Sequence, residues 1–239
     1  MLRMQLGGQP WATDDVSGAA HDVEKVMEGR LLEIAYFRKM CVYDKVDRSM
    51  AKGFKLVRTK WIDTNKGDYN NADYRSRLVA MEFNEYADPF LFAATPQLGA
   101  MRYIIHLAST NQRSGTRHCV MTVNVSCAYF DAVSTIDLFL EIPSEDREPG
   151  DDNKVGNLRM CLYGTRNAAF NWSETVARQF KICGYVTGAA FPAVYYNNED
   201  DVAVIVHGDY YLRSGPEESL RKRKQKAKRS VRDQDAHGR

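Results

Sequence analysis

Two apolar runs, Val202–Val206 and Tyr210–Leu212, are separated only by His-Gly-Asp. Three residues cannot hold a crossover helix, so the two runs must pair as neighbouring antiparallel strands. Gly208 and Asp209 are the residue types that tight hairpin loops need, and VIVHGDYYL (204–212) by itself reads as an ordinary hairpin. It also carries one carboxylate, Asp209, at the tip between two strands. The fold must therefore contain an antiparallel sheet, and Asp209 is either a turn residue or part of a site.

The rest of the chain fits a mixed architecture. From His21 to Met40, Val23, Val26, Met27, Leu31, Ile34 and Phe37 recur at helical spacing. FKLVRTKWI (54–62) and YRSRLVAMEF (74–83) read as strands, joined through DTNKGDYNNAD into a long-looped hairpin. LGAMRYIIHLAS (98–109) has helical spacing. CVMTVNV (119–125) reads as a short buried strand, and DLFLEI (137–142) and LRMCL (158–162) as further strands. Between Pro143 and Asn157, SEDREPGDDN reads as an acidic surface loop. Ala168, Trp172, Val176 and Phe180 recur every four residues and mark a helix that Gly184 can end. AVYYN (193–197) and DVAVIV (201–206) complete the strands. This predicts an α+β fold, a mostly antiparallel sheet carrying helices on one face. The expected organisation is a loose segment over 1–20, a main body over 21–215, and a basic, disordered tail over 216–239.

Composition narrows the function. With 44% apolar and 27% charged residues over 239 positions, the chain can bury a core. The opening MLRMQLGGQPWATDD has no apolar signal region, and no apolar run approaches a membrane span, so neither secretion nor membrane insertion is supported. Cys41, Cys119, Cys127, Cys161 and Cys183 are scattered, which fits reduced intracellular thiols and argues against zinc. The net charge of +2 hides an asymmetry: residues 220–239 hold nine Lys/Arg and two Asp. Removing those from 33 basic and 31 acidic residues leaves 24 and 29 in 1–219, a net of −5. The tail, densest over 220–232, reads as a phosphate-binding segment, a nuclear-import signal, or a solvated end with no partner. The expected location is cytoplasm or nucleus.

Five segments together resemble the reverse transcriptase domain of copia-type retrotransposons. They are KWIDTNKGD (60–68), YRSRLVAMEF (74–83), VNVSCAYFDA (123–132), LYGTRNAAFNW (162–172) and VIVHGDYYL (204–212), in the family's order. The resemblance spans most of residues 14–215. It implies a polymerase palm with fingers, RNA-directed DNA synthesis, a template-primer of RNA and DNA, and deoxynucleoside triphosphates as substrates. It also implies two Mg²⁺ ions held by three carboxylates, one ion activating the primer hydroxyl and the other clamping the triphosphate.

Against that pattern the chain departs at the acids. Where the family has Asp on the first palm strand, this chain has Asn124; of the two hairpin acids, Asp209 remains and the second is Tyr210. The resemblance thus makes Asn124, Asp209 and Tyr210 the catalytic positions, with Asp209 the surviving metal ligand. Three negative charges fall to one, and activity is expected to be impaired. Tyr129 matches the aromatic under the incoming sugar, though it reads equally as a core aromatic. Arg75 and Arg77 alternate on one strand face, which suits triphosphate oxygens, or simply a solvated face. In LYGTRNAAFNW, Leu162, Tyr163, Gly164, Ala168 and Trp172 keep the family pattern, while Thr165, Asn167 and Ala169 depart from it; Asn167 sits at a template or nucleotide position. About 27 residues follow Leu212, where the family continues into a thumb, so a truncated domain is expected. Two other readings stay open: a non-catalytic nucleic-acid-binding remnant, and a decayed fragment with no selected role. Oligomeric state is not legible.

Overall fold

The computed structural model describes residues 12–68, 71–83, 91–109 and 116–222. Its elements begin with β1 (Ala12–Thr13), β2 (Ala20–His21), α1 (Val23–Lys39), β3 (Tyr43–Asp47), β4 (Lys55–Val57), β5 (Thr59–Asn65) and β6 (Tyr74–Ala80). Next come α2 (Leu98–Ser109), β7 (His118–Asn124), β8 (Leu138–Leu140), β9 (Lys154–Leu158) and α3 (Ala168–Ile182). Four strands close the series: β10 (Val186–Gly188), β11 (Phe191–Asn197), β12 (Val202–His207) and β13 (Tyr210–Pro216). Among the described residues every strand pair is antiparallel except β4 with β8, so the fold is α+β with mostly antiparallel sheets. No helix among the described residues is long and apolar enough to cross a membrane. None of the five cysteines, all of them among the described residues, is in a disulfide.

The chain divides into two compact units that it visits in alternation: Met1–Leu91 with Tyr129–Trp172, and Phe92–Ala128 with Ser173–Arg239. In the first unit, Asp22 caps α1 by accepting from the Glu24 and Lys25 amides at 3.0 and 3.4 Å. Arg38 and Lys39 lie in its last turn, where they complement the helix dipole. The helix buries Val26, Ile34 and Phe37 and packs on β6 of the β5–β6 hairpin, whose Ser76, Leu78 and Ala80 are buried. The same unit holds a four-stranded sheet, ordered β3-β9-β8-β4. Phe130, fully buried, meets Phe37 edge-on at 4.9 Å.

Several expectations meet a different structure here. FKLVRTKWI is not one strand: it breaks at Arg58, β4 pairing parallel with β8 and β5 antiparallel with β6. The strand expected over 158–162 ends at Leu158, beyond which only Met160 makes an isolated bridge, to Val133. The acidic 144–153 segment is not simply a surface loop, because Asp146 and Asp151 are 2% and 3% exposed. Asp146 accepts from Arg38 Nε at 2.7 Å and from the Tyr43 hydroxyl at 2.6 Å, with Lys45 bonded to its carbonyl. Asp151 accepts from Lys45 at 2.7 Å and Lys154 at 2.9 Å. Carboxylates enter a core only with such partners. Residues 1–11 of the segment expected to be loose lie outside the described residues, but residues 12–21 pair as β1–β2. Asp14 ties that pair to β5 by accepting the Asn65 amide at 2.7 Å.

In the second unit the sheet runs β10-β11-β12-β13-β7. Phe180 of α3 stacks on Tyr195 at 4.6 Å and meets Tyr185 and Tyr211 at 4.9 and 5.8 Å, while α2 packs on β7 and β13. The chain leaves α3 through Gly184, whose amide bonds the Lys181 carbonyl at 3.0 Å. β7 is not a buried strand: it is an edge strand, and Val120, Thr122 and Asn124 on one face are exposed. Residues 217–222, the start of the expected tail, are helical with Leu220 buried; residues 223–239 lie outside the described residues.

Candidate functional site

The sequence-predicted residues fall into two groups, one in each unit. In the second, β12 and β13 pair through His207 and Tyr210, leaving a two-residue turn, Gly208–Asp209. Gly208 has φ of +59° and Asp209 does not have a positive φ, which is the demand of a type II′ turn. β7 lies against β13 with Asn124 directly opposite Tyr210, and the Val125 amide donates to the Asp209 carbonyl at 2.9 Å. Asn124 and Tyr210 are exposed, Tyr210 by 60%, and Asp209 is half-buried. The register thus gathers Asn124, Asp209 and Tyr210 at one end of the sheet, although they are up to 86 positions apart.

The chemistry of this donor set is limited. It comprises one carboxylate, one amide and one phenol, a single negative charge at neutral pH. Among the described residues no three His, Cys, Asp or Glu side chains gather closely enough to hold a metal ion. Two magnesium ions bring four positive charges and favour carboxylate oxygens, so these residues do not fit a two-metal centre.

In the first unit Arg77 of β6 meets the loop before α3. Arg75 and Arg77 share the β6 face opposite Ser76 and Leu78; Arg75 is exposed and Arg77 half-buried. The Arg77 guanidinium lies over the Tyr163 ring, 5.2 Å from its centroid, and Tyr129 packs against the same ring at 4.8 Å. The loop is bolted to the end of β6. The Ala80 amide donates to the Tyr163 carbonyl at 2.7 Å, the Glu82 amide to the Gly164 carbonyl at 3.3 Å, and the Arg166 amide to Glu82 Oε2 at 2.9 Å. Gly164 has φ of +82°, and a Cβ there would sit 2.0 Å from the Ala80 carbonyl oxygen, so only glycine lets the loop approach β6. Nearby, burial pushes the Glu33 carboxyl up, against the Leu78 amide and the charges of Arg77 and Arg75, which lower it.

Asn167 goes elsewhere than the sequence suggested. It is 2% exposed, and its Nδ2 reaches Thr135 Oγ1 at 3.4 Å in a network with Asn171, which bonds the same hydroxyl at 3.1 Å. In this arrangement it faces the interior and supports the start of α3. Tyr163, by contrast, keeps the family pattern and carries no role in the sequence reading, yet it is the ring on which Arg77 and Tyr129 converge. The one signal that could have singled it out is an aromatic residue immediately before a glycine.

A family model described as reverse transcriptase (RNA-dependent DNA polymerase) matches residues 41–231, four fifths of the chain. The chain belongs to that family: it contains a reverse transcriptase domain. Domains of this family act on a nucleic-acid template with deoxynucleoside triphosphates and generally use divalent metal ions. Among curated proteins no match is found.

Proposed function

We propose that the chain is the reverse transcriptase domain of a copia-type retrotransposon, built as palm and fingers, whose RNA-directed DNA synthesis is impaired at the metal site. The observation that carries this reading is the pairing of Asn124 with Tyr210 beside the Gly208–Asp209 turn. Strand register there brings together the positions at which the resemblance expects three acids, and one acid remains. Mg²⁺ is the ion expected of an intact centre; here Asp209 alone would offer it charge. Arg77, with Arg75 beside it, is assigned to triphosphate oxygens and Tyr129 to the sugar of the incoming nucleotide. Residues 21–215 are the fingers and palm of this reading, with the basic residues after 216 available for phosphates of template and primer.

The test is primer extension on an RNA template with Mg²⁺ and with Mn²⁺, comparing the native chain with Asn124→Asp/Tyr210→Asp. Extension by the repaired variant alone is the expected result. Robust extension by the native chain would overturn the impairment. No extension by either, together with salt-dependent RNA binding by both, would favour a non-catalytic nucleic-acid-binding role.

A further inference from the structure

We infer that Tyr163 is a positioning residue, one that aims the Arg77 guanidinium at an oligophosphate anion; this rests on the reading of Arg77 as a triphosphate contact. Most arginines that settle against this unit do so on carboxylates. Arg30 holds Asp63 and Glu145, Arg38 holds Asp146, and Arg48 holds Glu141. Among the described residues Arg77 has no carboxylate within ion-pair distance; its partner is the Tyr163 ring at 5.2 Å. The charge of Glu33 is felt there, but its carboxyl takes the Leu78 amide.

The difference matters chemically. A carboxylate neutralises a guanidinium and occupies its N–H fork. An aromatic face restrains the plane by attraction to the cation while leaving the charge and the in-plane donors available for a bidentate anion. The restraint is only as good as the ring's own fixation, and Tyr163 is fixed from several sides. Its carbonyl is bonded by the Ala80 amide at 2.7 Å, and the following Gly164 is pressed against Ala80 in a conformation closed to other residues. Its ring is backed by Tyr129 at 4.8 Å and Phe130 at 5.9 Å. The Leu-Tyr-Gly loop is thus a bracket that carries an arginine-bearing ring.

The experiment titrates the full chain with inorganic tripolyphosphate and reads the Arg77 Nε–Hε resonance. This separates the site from the basic residues of the tail. In the native chain that resonance should carry a ring-current shift and move on titration. Arg77→Gln removes the signal and identifies it. Tyr163→Leu should abolish the ring-current shift and weaken the anion's effect at Arg77 about tenfold, whereas Tyr163→Phe, which keeps the ring, should retain both. If Tyr163→Leu binds the anion at Arg77 as the native chain does, the positioning role is wrong while the triphosphate reading stands. If the native Arg77 resonance never responds to the anion, the triphosphate reading fails and the inference with it. Absence of a ring-current shift in the native chain overturns the inference without reference to any variant, which covers a Tyr163→Leu protein that does not fold.

Discussion

The Leu162–Arg166 loop and the Gly208–Asp209 turn are both tight passages through a glycine with positive φ, at 82° and 59°. They differ in what else depends on them. Around Gly164 the backbone of β6 lies in contact, and the Ala80, Glu82 and Arg166 amides bond across that contact. Around Gly208 there is open space: a Cβ there would meet nothing within 4 Å. The first passage is fixed by packing, so its identity is fixed by sterics. The second is held by strand pairing and by the Val125 amide on the Asp209 carbonyl, and neither depends on the side chain at 210. In the proposed reading Tyr210 takes the place of an acid there, and it does so without disturbing the sheet. Chemistry at the hairpin can be lost while the hairpin persists, whereas the loop cannot drift at Gly164 without cost to the fold.

The sharpest way to break this comparison is to add one methyl group at each glycine. Gly164→Ala combines a left-handed conformation with a backbone collision, and relieving it sacrifices the Ala80–Tyr163 bond; we expect a loss of at least about 3 kcal/mol. Gly208→Ala faces only the conformational term, about 1 kcal/mol. Denaturant melts of the two variants check the ranking, and equal losses would mean that the two turns are equivalent.

Next in size is Asp146→Ala, which asks whether the first unit depends on charges carried inward. Tyr43 and Lys45 would lose a buried partner, but Arg38 is 52% exposed and can return to water. The cost should therefore fall at or just below the lower end of the roughly 3–5 kcal/mol for a broken buried pair, about 2–3 kcal/mol, read from the same melts. The neighbouring Asp151 adds a pH signature. Bonds from Lys45, then Lys154, then the Glu148 amide hold its carboxyl well below the ordinary 3.8. A depressed carboxyl stabilises the fold above its unfolded pKa and ceases to do so as pH falls through the folded one. The melting temperature should thus decline with acid below about pH 4, and Asp151→Asn should flatten part of that decline. Asp14, held down by the Asn65, Ser17 and Val16 amides, contributes in the same sense and leaves a residual slope.

What could be read in the chain beforehand follows the same division. Local periodicity located α1, α2 and α3, because a buried stripe such as Val26, Ile34 and Phe37 repeats within one segment. The β12–β13 hairpin was legible because three residues permit only one connection. Pairings over long range were not. FKLVRTKWI has no internal mark of a break at Arg58, since β4 and β5 separate only because β8 and β6 claim them. Asp146 looked solvated because its partners Arg38, Tyr43 and Lys45 lie more than a hundred positions away. β7 looked buried because an apolar run does not reveal that it lies at a sheet edge. The order of the five segments singled out Asn124, Asp209 and Tyr210, which strand register brings to one end of the sheet. The convergence of Arg77 and Tyr129 on Tyr163 required the fold.

The smallest effect expected is also the one that separates fold from chemistry most directly. In Asn124→Asp/Tyr210→Asp both altered side chains are exposed, so little packing is lost. The two new carboxylates stand directly opposite each other with Asp209 adjacent, and like charges across a strand pair cost up to about 1 kcal/mol. Without divalent ions the variant should melt slightly below the native chain. Added Mn²⁺ or Mg²⁺ should reverse the difference, because an ion that binds the folded acids and not the unfolded chain raises stability with its concentration. The native chain, with one charge where the variant has three, should show no such rise. A metal-dependent rise in the native chain equal to that of the variant would mean that an amide and a phenol suffice as partners for Asp209, and the hairpin would then have kept its chemistry along with its register.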